Sequence, residues 1–120
     1  MWCITLGAVS SEGRITPGDA GIWADKHVEP VARINRFLKE HGAVPGIQTA
    51  HVGHKASAVR PWEGGAHLAD EDSGGPVIAP SALAFGGDLT KVPRAMSLEE
   101  ITRVQEEFVT AAKRSLTAGC

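Results

Sequence analysis

The feature that most constrains the fold of this chain is an alternation of strand and helix patterns along the sequence. Residues 3–9 form a short apolar run rich in β-favouring side chains, and residues 44–51 form a second run of this kind. A helical pattern lies between the two runs, and another follows the second run after a long connection at residues 53–94. Such alternation predicts parallel strands joined by helical crossovers, and therefore an α/β fold.

The first helix is predicted from an apolar face at helical spacing, with charged residues mostly on the opposite side. Asp25 is the predicted cap of this helix, and Gly42 is its predicted end. Pro30 removes a backbone hydrogen bond if it lies beyond the first turn, so the regular helix is expected to start near Glu29. The predicted apolar face consists of Val28, Val31, Ile34 and Leu38.

A capping box predicts the start of the second helix, because Ser97 is followed three residues later by Glu100. The apolar face predicted for this helix consists of Ile101, Val104, Phe108, Ala112 and Leu116. The connection before it is longer than structureless loops usually are, so we expect it to carry function or short elements, one of them at residues 77–85.

The number of strands indicates an incomplete sheet. A parallel sheet needs helices on both faces or closure into a barrel, and only two main strands are predicted. We therefore expect open strand edges and one uncovered face, an arrangement that favours self-association.

Charge and composition argue against several classes of partner. The formal net charge is −2 and the basic residues are scattered singly, which argues against a nucleic-acid surface. No apolar run approaches the roughly 20 residues that span a bilayer. The amino terminus lacks the features of a secretory signal, and Cys3 and Cys120 are too few for a disulfide scaffold. These observations predict reduced thiols and a cytoplasmic location.

One segment after the first strand, residues 13–23 (Gly-Arg-Ile-Thr-Pro-Gly-Asp-Ala-Gly-Ile-Trp), is similar to the loop after the second barrel strand in the Old Yellow Enzyme family of flavin oxidoreductases. Residues 46–57 (Gly-Ile-Gln-Thr-Ala-His-Val-Gly-His-Lys-Ala-Ser) are similar to its third strand and the following loop. Residues 79–82 (Ala-Pro-Ser-Ala) and the last helix keep the family's order and spacing, so the resemblance covers nearly the whole chain.

The resemblance implies a fold, a cofactor and an activity. The fold is a (β/α)₈ TIM barrel, of which residues 1–120 are expected to form a partial domain with the second and third βα units and a long βα loop. The cofactor is FMN, the reductant is NAD(P)H, and the substrate of the full-length family is a small activated alkene. The chain is expected to stop before the fourth strand and the substrate-binding His motif that follows it.

Two residues are predicted flavin contacts on the strength of this resemblance. Gln48 is expected to hydrogen-bond the pyrimidine edge of the isoalloxazine ring, since an amide offers both a donor and an acceptor. Leu6 is expected to project toward the ring. Relatives usually show an acidic residue, then Ala or Gly, then a small residue, where this chain has Thr5, Leu6 and Gly7. At His54 relatives usually carry arginine.

Other residues in the chain favour interpretations that compete with a flavoenzyme. Residues 72–77 (Asp-Ser-Gly-Gly-Pro-Val) match the nucleophile motif of chymotrypsin-like serine proteases, but His51 lies only 22 positions from Ser73 in a partly helical context, so this interpretation is rejected. No spacing fixes a metal site among His51, His54 and His67. Trp23 and Trp62 are expected to pack the loops, although Trp62 could border the mouth of the site. The alternative that stays open is a non-catalytic remnant acting as a structural or interaction module.

Overall fold

A computed structural model gives the fold of the chain and describes residues 1–69 and 75–120. Its larger elements follow the predicted order of strand, helix, strand and helix, and the two short strands lie in the long connection between the last two of these. The elements are β1 (Trp2–Ala8), α1 (Val28–Glu40), β2 (Val44–Ala50), β3 (Ile78–Ala79), β4 (Arg94–Ala95) and α2 (Leu98–Thr117). Single turns of 3₁₀ helix cover Asp25–His27, Gly53–Lys55 and Pro61–Glu63.

The strands β1 and β2 form a parallel pair that runs in register from Trp2 opposite Val44 to Ala8 opposite Ala50. The parallel pairing predicted from the alternation is therefore confirmed, and the fold is mixed α/β. The first half of β1 is exposed although its sequence is apolar, since Trp2 is 73% and Ile4 65% exposed. Helices cover one face of the pair, whereas no element of the described chain covers the face that carries these two side chains.

The predicted start of α1 near Glu29 and its predicted end are confirmed, because the helix covers Val28–Glu40, whereas its predicted cap is wrong. Asp25 does not cap α1: it lies in the 3₁₀ turn that precedes the helix, and its carboxylate accepts a hydrogen bond of 2.7 Å from Arg114 in α2. Gly42 ends the helix with a φ of +75°, and the amides of Gly42 and Ala43 donate to the carbonyls of Lys39 and Leu38. This pair of bonds is a Schellman motif, which satisfies carbonyls that the helix leaves open.

The apolar face predicted for α1 is only partly correct. Val31 packs against the core formed by Val9, Ile22 and Ala111, whereas Ile34 is 56% exposed. The buried residue of the helix is Asn35, whose amide finds polar partners at the end of α2. A buried side-chain amide is tolerated when its hydrogen bonds are made within the protein. Its partner, the carbonyl of Ala118, is 83 positions away, so local sequence pattern could not predict the burial of Asn35.

The capping box of α2 is confirmed, and the predicted apolar face of this helix is only partly correct, since Phe108 packs against the core. Ser97 Oγ accepts from the amide of Glu100, while the Glu100 carboxylate accepts from the amide of Ser97. The residues buried in α2 are Ala111 and Ser115, and the predicted face residue Leu116 is 73% exposed. Small side chains allow the helix backbone to approach the sheet closely, a preference that hydrophobicity alone does not reveal.

The connection between β2 and α2 carries short elements, as predicted. The strands β3 and β4 pair in parallel, with Ile78 opposite Arg94. The element expected at residues 77–85 is confirmed only for Ile78–Ala79. Among the residues that the structure describes, no helix has the length and apolar composition needed to cross a membrane.

Candidate functional site

The two predicted flavin contacts lie side by side in the structure. Leu6 and Gln48 are directly opposite each other in the parallel register of β1 and β2. Side chains alternate between the faces of a strand, so paired residues in the two strands share a face. Leu6 and Gln48 therefore occupy the same face near the carboxyl end of the sheet, which is the end where parallel α/β proteins bind ligands.

This shared face is open and largely apolar, with one amide projecting from it. Gln48 is exposed, and its side chain makes no hydrogen bond with the residues that the structure describes. Ile4 is opposite Gly46, and a Cβ added at Gly46 would lie 3.4 Å from Ile4 Cγ1. Because Gly46 has no side chain, space is left on the open face beside Gln48. A flat ring system could lie there with its polar edge toward the Gln48 amide.

The residues on either side of Leu6 point the other way. A Cβ on Gly7 would lie 2.6 Å from Ile47 Cδ1 and 3.5 Å from Ile22 Cγ2, so Gly7 is pressed against the core beneath the helices. Thr5 shares that side by strand alternation. Of Thr5, Leu6 and Gly7, Leu6 alone faces the open side of the sheet.

The loops that follow β1 and β2 are hydrogen-bonded to each other above the sheet. The amide of Val52 donates to the carbonyl of Gly13 over 3.1 Å, and the amide of Ala58 donates to that of Ile15 over 2.7 Å. Asp19 braces the first loop, because its carboxylate accepts from the Ile15 amide over 2.7 Å and from Thr16 Oγ1 over 2.7 Å. The two loops therefore form one rim at the carboxyl end of the strands.

A cavity of about 190 Å³ lies between these two loops. The guanidinium of Arg14 lines it but is already engaged, since it donates to the carbonyls of Ser11 and Pro17 over 2.9 and 3.0 Å. The other lining residues are Ser11, Glu12, Ile15, Thr16, Pro17, Ser57, Leu68, Gly75 and Pro76. Because Arg14 is occupied by backbone carbonyls, the cavity offers only weak recognition of an anion.

A charged cluster that sequence reasoning missed fixes the rim to α2. Arg103 forms ion pairs of 2.6 Å with Glu12 of the first loop and 2.6 Å with Glu107 of the same helix. His51 lies within the field of all three groups, and its burial lowers its pKa below the ordinary value, against the opposing pull of Glu12 and Glu107. The four-residue spacing of Arg103 and Glu107 on a helix would have predicted the ion pair between them. The ion pair between Arg103 and Glu12 could not be predicted, because only the fold brings these residues together.

Two further histidines, His54 and His67, contact other residues of the long connection between β2 and α2. His54 Nε2 lies 3.4 Å from Ser81 Oγ. His67 Nδ1 accepts from the amide of Lys91 over 2.9 Å. No group of three His, Cys, Asp or Glu side chains within residues 1–69 and 75–120 is arranged to hold a metal ion.

The tryptophans behave differently from each other. Trp23 packs the loops as predicted, with its ring 4.5 Å from the ring of His27 and 5.3 Å from the Arg14 guanidinium. Trp62 does not pack, because it is 80% exposed. Ser73, from the rejected protease motif, lies outside the described residues.

Comparison with known proteins places these features in a family context. The sequence model of the NADH:flavin oxidoreductase / NADH oxidase family matches residues 3–120. An NADH:flavin oxidoreductase of Gibberella zeae is 41% identical over 115 residues, which are 93% of this chain and 28% of the relative. The NADPH dehydrogenase of Bacillus subtilis is 37% identical over 116 residues, which are 97% of this chain and 30% of the relative.

Solved structures agree with these sequence matches. An Old Yellow Enzyme homologue from Zymomonas mobilis superposes with a TM-score of 0.76 at 28% identity, covering 98% of this chain and 32% of that one. A morphinone reductase variant in complex with tetrahydroNAD gives a TM-score of 0.75 at 25% identity, covering 98% of this chain and 34% of that one. The chain thus spans about a third of the structures and less than a third of the curated relatives that it matches.

Proposed function

Because the chain belongs to the NADH:flavin oxidoreductase / NADH oxidase family, we propose that it forms part of the flavin site of an FMN-dependent NAD(P)H oxidoreductase. In this proposal the chain contributes the second and third βα units of an Old Yellow Enzyme barrel, with the long connection as a βα loop. The reaction proposed for the whole protein is the reduction of a small activated alkene.

One observation carries the proposal: Gln48 and Leu6 are neighbours in register on the open face, at the carboxyl end of a parallel pair. The exposed Gln48 amide has no partner in the described chain, so its donor and acceptor are available to an incoming group. Leu6 and Ile4 supply an apolar surface, and Gly46 leaves space beside it. This set of groups suits a flat ring system with a polar amide-like edge.

The chain's own residues would bind and orient the cofactor. FMN supplies the hydride-transfer chemistry when bound. Gln48 would hold the polar edge of the ring, and Leu6 would contact the ring beside it. The closed rim formed by the loops after β1 and β2 would exclude water from one side of the ring. The remaining contacts with FMN and the substrate are assigned in this proposal to segments outside residues 1–120.

The direct test is a titration of FMN with the purified chain, followed by flavin fluorescence and absorbance. Gln48→Ala is expected to weaken binding about tenfold, since one or two hydrogen bonds contribute about 1 kcal/mol each. Gln105→Ala, which changes the exposed glutamine of α2, is the matched control and is expected to bind like the parent. Equal affinities of the parent and Gln48→Ala would remove Gln48 from the flavin site.

A second candidate function is a non-catalytic structural or interaction module, favoured by the exposed apolar face around Trp2 and Ile4. The same titration separates the two. Stoichiometric FMN binding with NADPH-dependent bleaching would exclude the module, whereas absence of binding at tens of micromolar FMN would leave the family relationship as ancestry. We expect the isolated chain to bind weakly and to be inactive in turnover.

A cytoplasmic location is part of the same proposal. Cys3 and Cys120 are both free thiols, and a reducing compartment would keep them so.

A further inference from the structure

The loop after β1, residues 10–21 and called here the first loop, is fixed to the core at both of its ends. Before the loop, the amide of Val9 donates to the carbonyl of Ala50 over 3.0 Å. After it, the amide of Ile22 donates to the carbonyl of Ala8 over 3.0 Å. Val9 is 1% and Ile22 0% exposed. The loop can therefore swing away from α2 without unfolding the sheet, because its two ends stay in place.

Charged side chains and one imidazole join the middle of the first loop to α2. Glu12 reaches from the loop to the Arg103 guanidinium, which also pairs with Glu107. The ring of His51 lies against Gly13, so closely that a Cβ on this glycine would be 2.7 Å from His51 Cδ2. His51 Nε2 is enclosed and makes no hydrogen bond with the residues that the structure describes. The ring is thus packed between the loop and the helix as an uncharged group.

A proton on His51 is unfavourable while the first loop is closed. Burial lowers the pKa of this histidine and Arg103 adds to the effect, against the opposing pull of Glu12 and Glu107. These three are the charged groups that face the ring from the loop and from α2. When the loop swings away, the ring gains water and its pKa returns toward the ordinary value near 6.5. Protonation therefore stabilises the open form, because a proton binds more tightly to it.

We propose that the first loop is a lid, which His51 holds closed when the imidazole is neutral and releases when it is protonated. The ion pairs of Arg103 with Glu12 and Glu107 fasten the lid to α2. Opening is local: it detaches the first loop from α2 and from the loop after β2, while β1, β2 and the core stay intact. The carboxyl end of the sheet is then more accessible in mild acid than at neutral pH.

Amide hydrogen exchange, resolved by NMR, tests this local opening. The reporters are the amides of Val52 and Ala58, because both donate to carbonyls of the first loop. The references are the amides of Val9 and Ile22, which bond at the anchored ends. After correction for intrinsic exchange, the reporters are expected to open up to about tenfold more at pH 5.5 than at pH 7.5. Low urea is expected to accelerate exchange at the references but not at the reporters, because a local opening exposes little surface.

Two variants separate the roles of the histidine and of the ion pairs. His51→Gln removes the titrating group and is expected to abolish the pH response of the reporters. His41→Gln, at an exposed histidine that follows α1, is the matched control and is expected to respond like the parent. Arg103→Gln loosens the ion pairs and is expected to raise the opening of the reporters about two- to fivefold at pH 7.5. Lys113→Gln, at an exposed position of the same helix, is its control.

Three results would overturn the proposal. The first is a set of reporters that open no more often than the references and share their urea sensitivity, because the loop then opens only with global unfolding. The second is a pH response that persists in folded His51→Gln. The third is an Arg103→Gln variant whose reporters open no more than those of the parent at pH 7.5. The proposal does not rest on FMN binding, so these readouts are independent of the flavin titration.

Discussion

The side-chain amide of Asn35 donates a hydrogen bond of 2.9 Å to the main-chain carbonyl of Ala118, linking the middle of α1 to the end of α2. The same nitrogen lies 3.2 Å from Cys120 Sγ. Asn35 is only 5% exposed, so Asn35→Ala would leave the Ala118 carbonyl without its donor in a buried setting. We expect the free energy of unfolding to fall by about 1–3 kcal/mol, measured by urea denaturation.

The control for this prediction is Arg33→Ala, an exposed position on the same helix. Its effect is expected to stay within about 0.5 kcal/mol. Equal stabilities of the two variants would show that the Asn35 bond contributes nothing to the docking of α1 and α2.

Gly13 is predicted to tolerate no side chain, because His51 packs directly over its Cα. A Cβ at this position would lie 2.7 Å from His51 Cδ2 and 2.9 Å from Ser10 Oγ. Gly13→Ala is therefore expected to destabilise the fold by about 1–3 kcal/mol, as overpacking does. Gly75→Ala is the control, since a Cβ there meets no atom within 4 Å. A thermal melt that shifts equally for both variants would contradict the predicted contact.

The capping box of α2 makes a separate contribution to stability. Ser97→Ala removes the hydroxyl that accepts from the Glu100 amide and is expected to cost about 1 kcal/mol. The hydrogen bond from Arg94, followed by that from the Ser97 amide, lowers the pKa of Glu100 to about 2, so the box stays ionised in mild acid. Thr110→Ala in the middle of the same helix is the comparison, with chemical denaturation at neutral pH as the measurement. A larger loss for Thr110→Ala would show that the cap is dispensable.

Stability is expected to fall as the pH drops through the ordinary histidine range. Burial lowers the pKa of His51, with Glu12 and Glu107 opposing and Arg103 reinforcing the shift. Near pH 6.5 the His51 side chain is therefore protonated in the unfolded chain but still neutral in the folded chain. The free energy of unfolding decreases below that pH. Burial also lowers the pKa values of His27 and His67, which act in the same direction.

Replacing His51 isolates its share of this pH dependence. His51→Gln is expected to reduce the difference between the unfolding free energies measured at about pH 7.5 and pH 5.5. If the variant and the parent show the same difference, the burial of His51 does not control the acid sensitivity of the rim.

The size of Leu6 is predicted to limit FMN affinity, if the proposed flavin site is correct. Leu6 shares its face with Gln48, so its branched side chain would project toward the proposed ring. Leu6→Ala is expected to tighten FMN binding about tenfold, because it relieves crowding that costs of the order of 1 kcal/mol. Leu116→Ala, at an exposed leucine of α2 outside the proposed flavin site, is the control. Weaker binding by Leu6→Ala would show that the leucine is a favourable contact.

The sequence was sufficient for those features that depend on local pattern. Ser97 and Glu100 are three residues apart, and this spacing predicted the start of α2. The parallel pairing of the two strands was predicted from the alternation, whereas the register that places Leu6 beside Gln48 is known only from the structure, and the role proposed for Gln48 came from family resemblance alone. Gly42 ends α1 as expected, because a left-handed residue is needed there.

Features that depend on distant partners were not predictable in this way. Asp25 has the chemistry of a helix cap but pairs with Arg114, 89 positions along the chain. Leu116 was expected to be buried, whereas Ala111 and Ser115 are, because close helix–sheet approach selects small side chains over strongly apolar ones. The link from Glu12 to Arg103 likewise joins a loop to a helix that only the fold brings together.

The bond between Asn35 and Ala118 also has a consequence for synthesis on the ribosome. The two residues are 83 positions apart. The helix α1 can therefore form early, but the Asn35 amide has no acceptor until the ribosome has translated nearly all of this segment. During that interval the two strands can already pair, since Trp2 requires only Val44. The nascent segment is therefore expected to hold a paired sheet with an undocked helix, and to gain protease resistance in one late step once Ala118 has emerged.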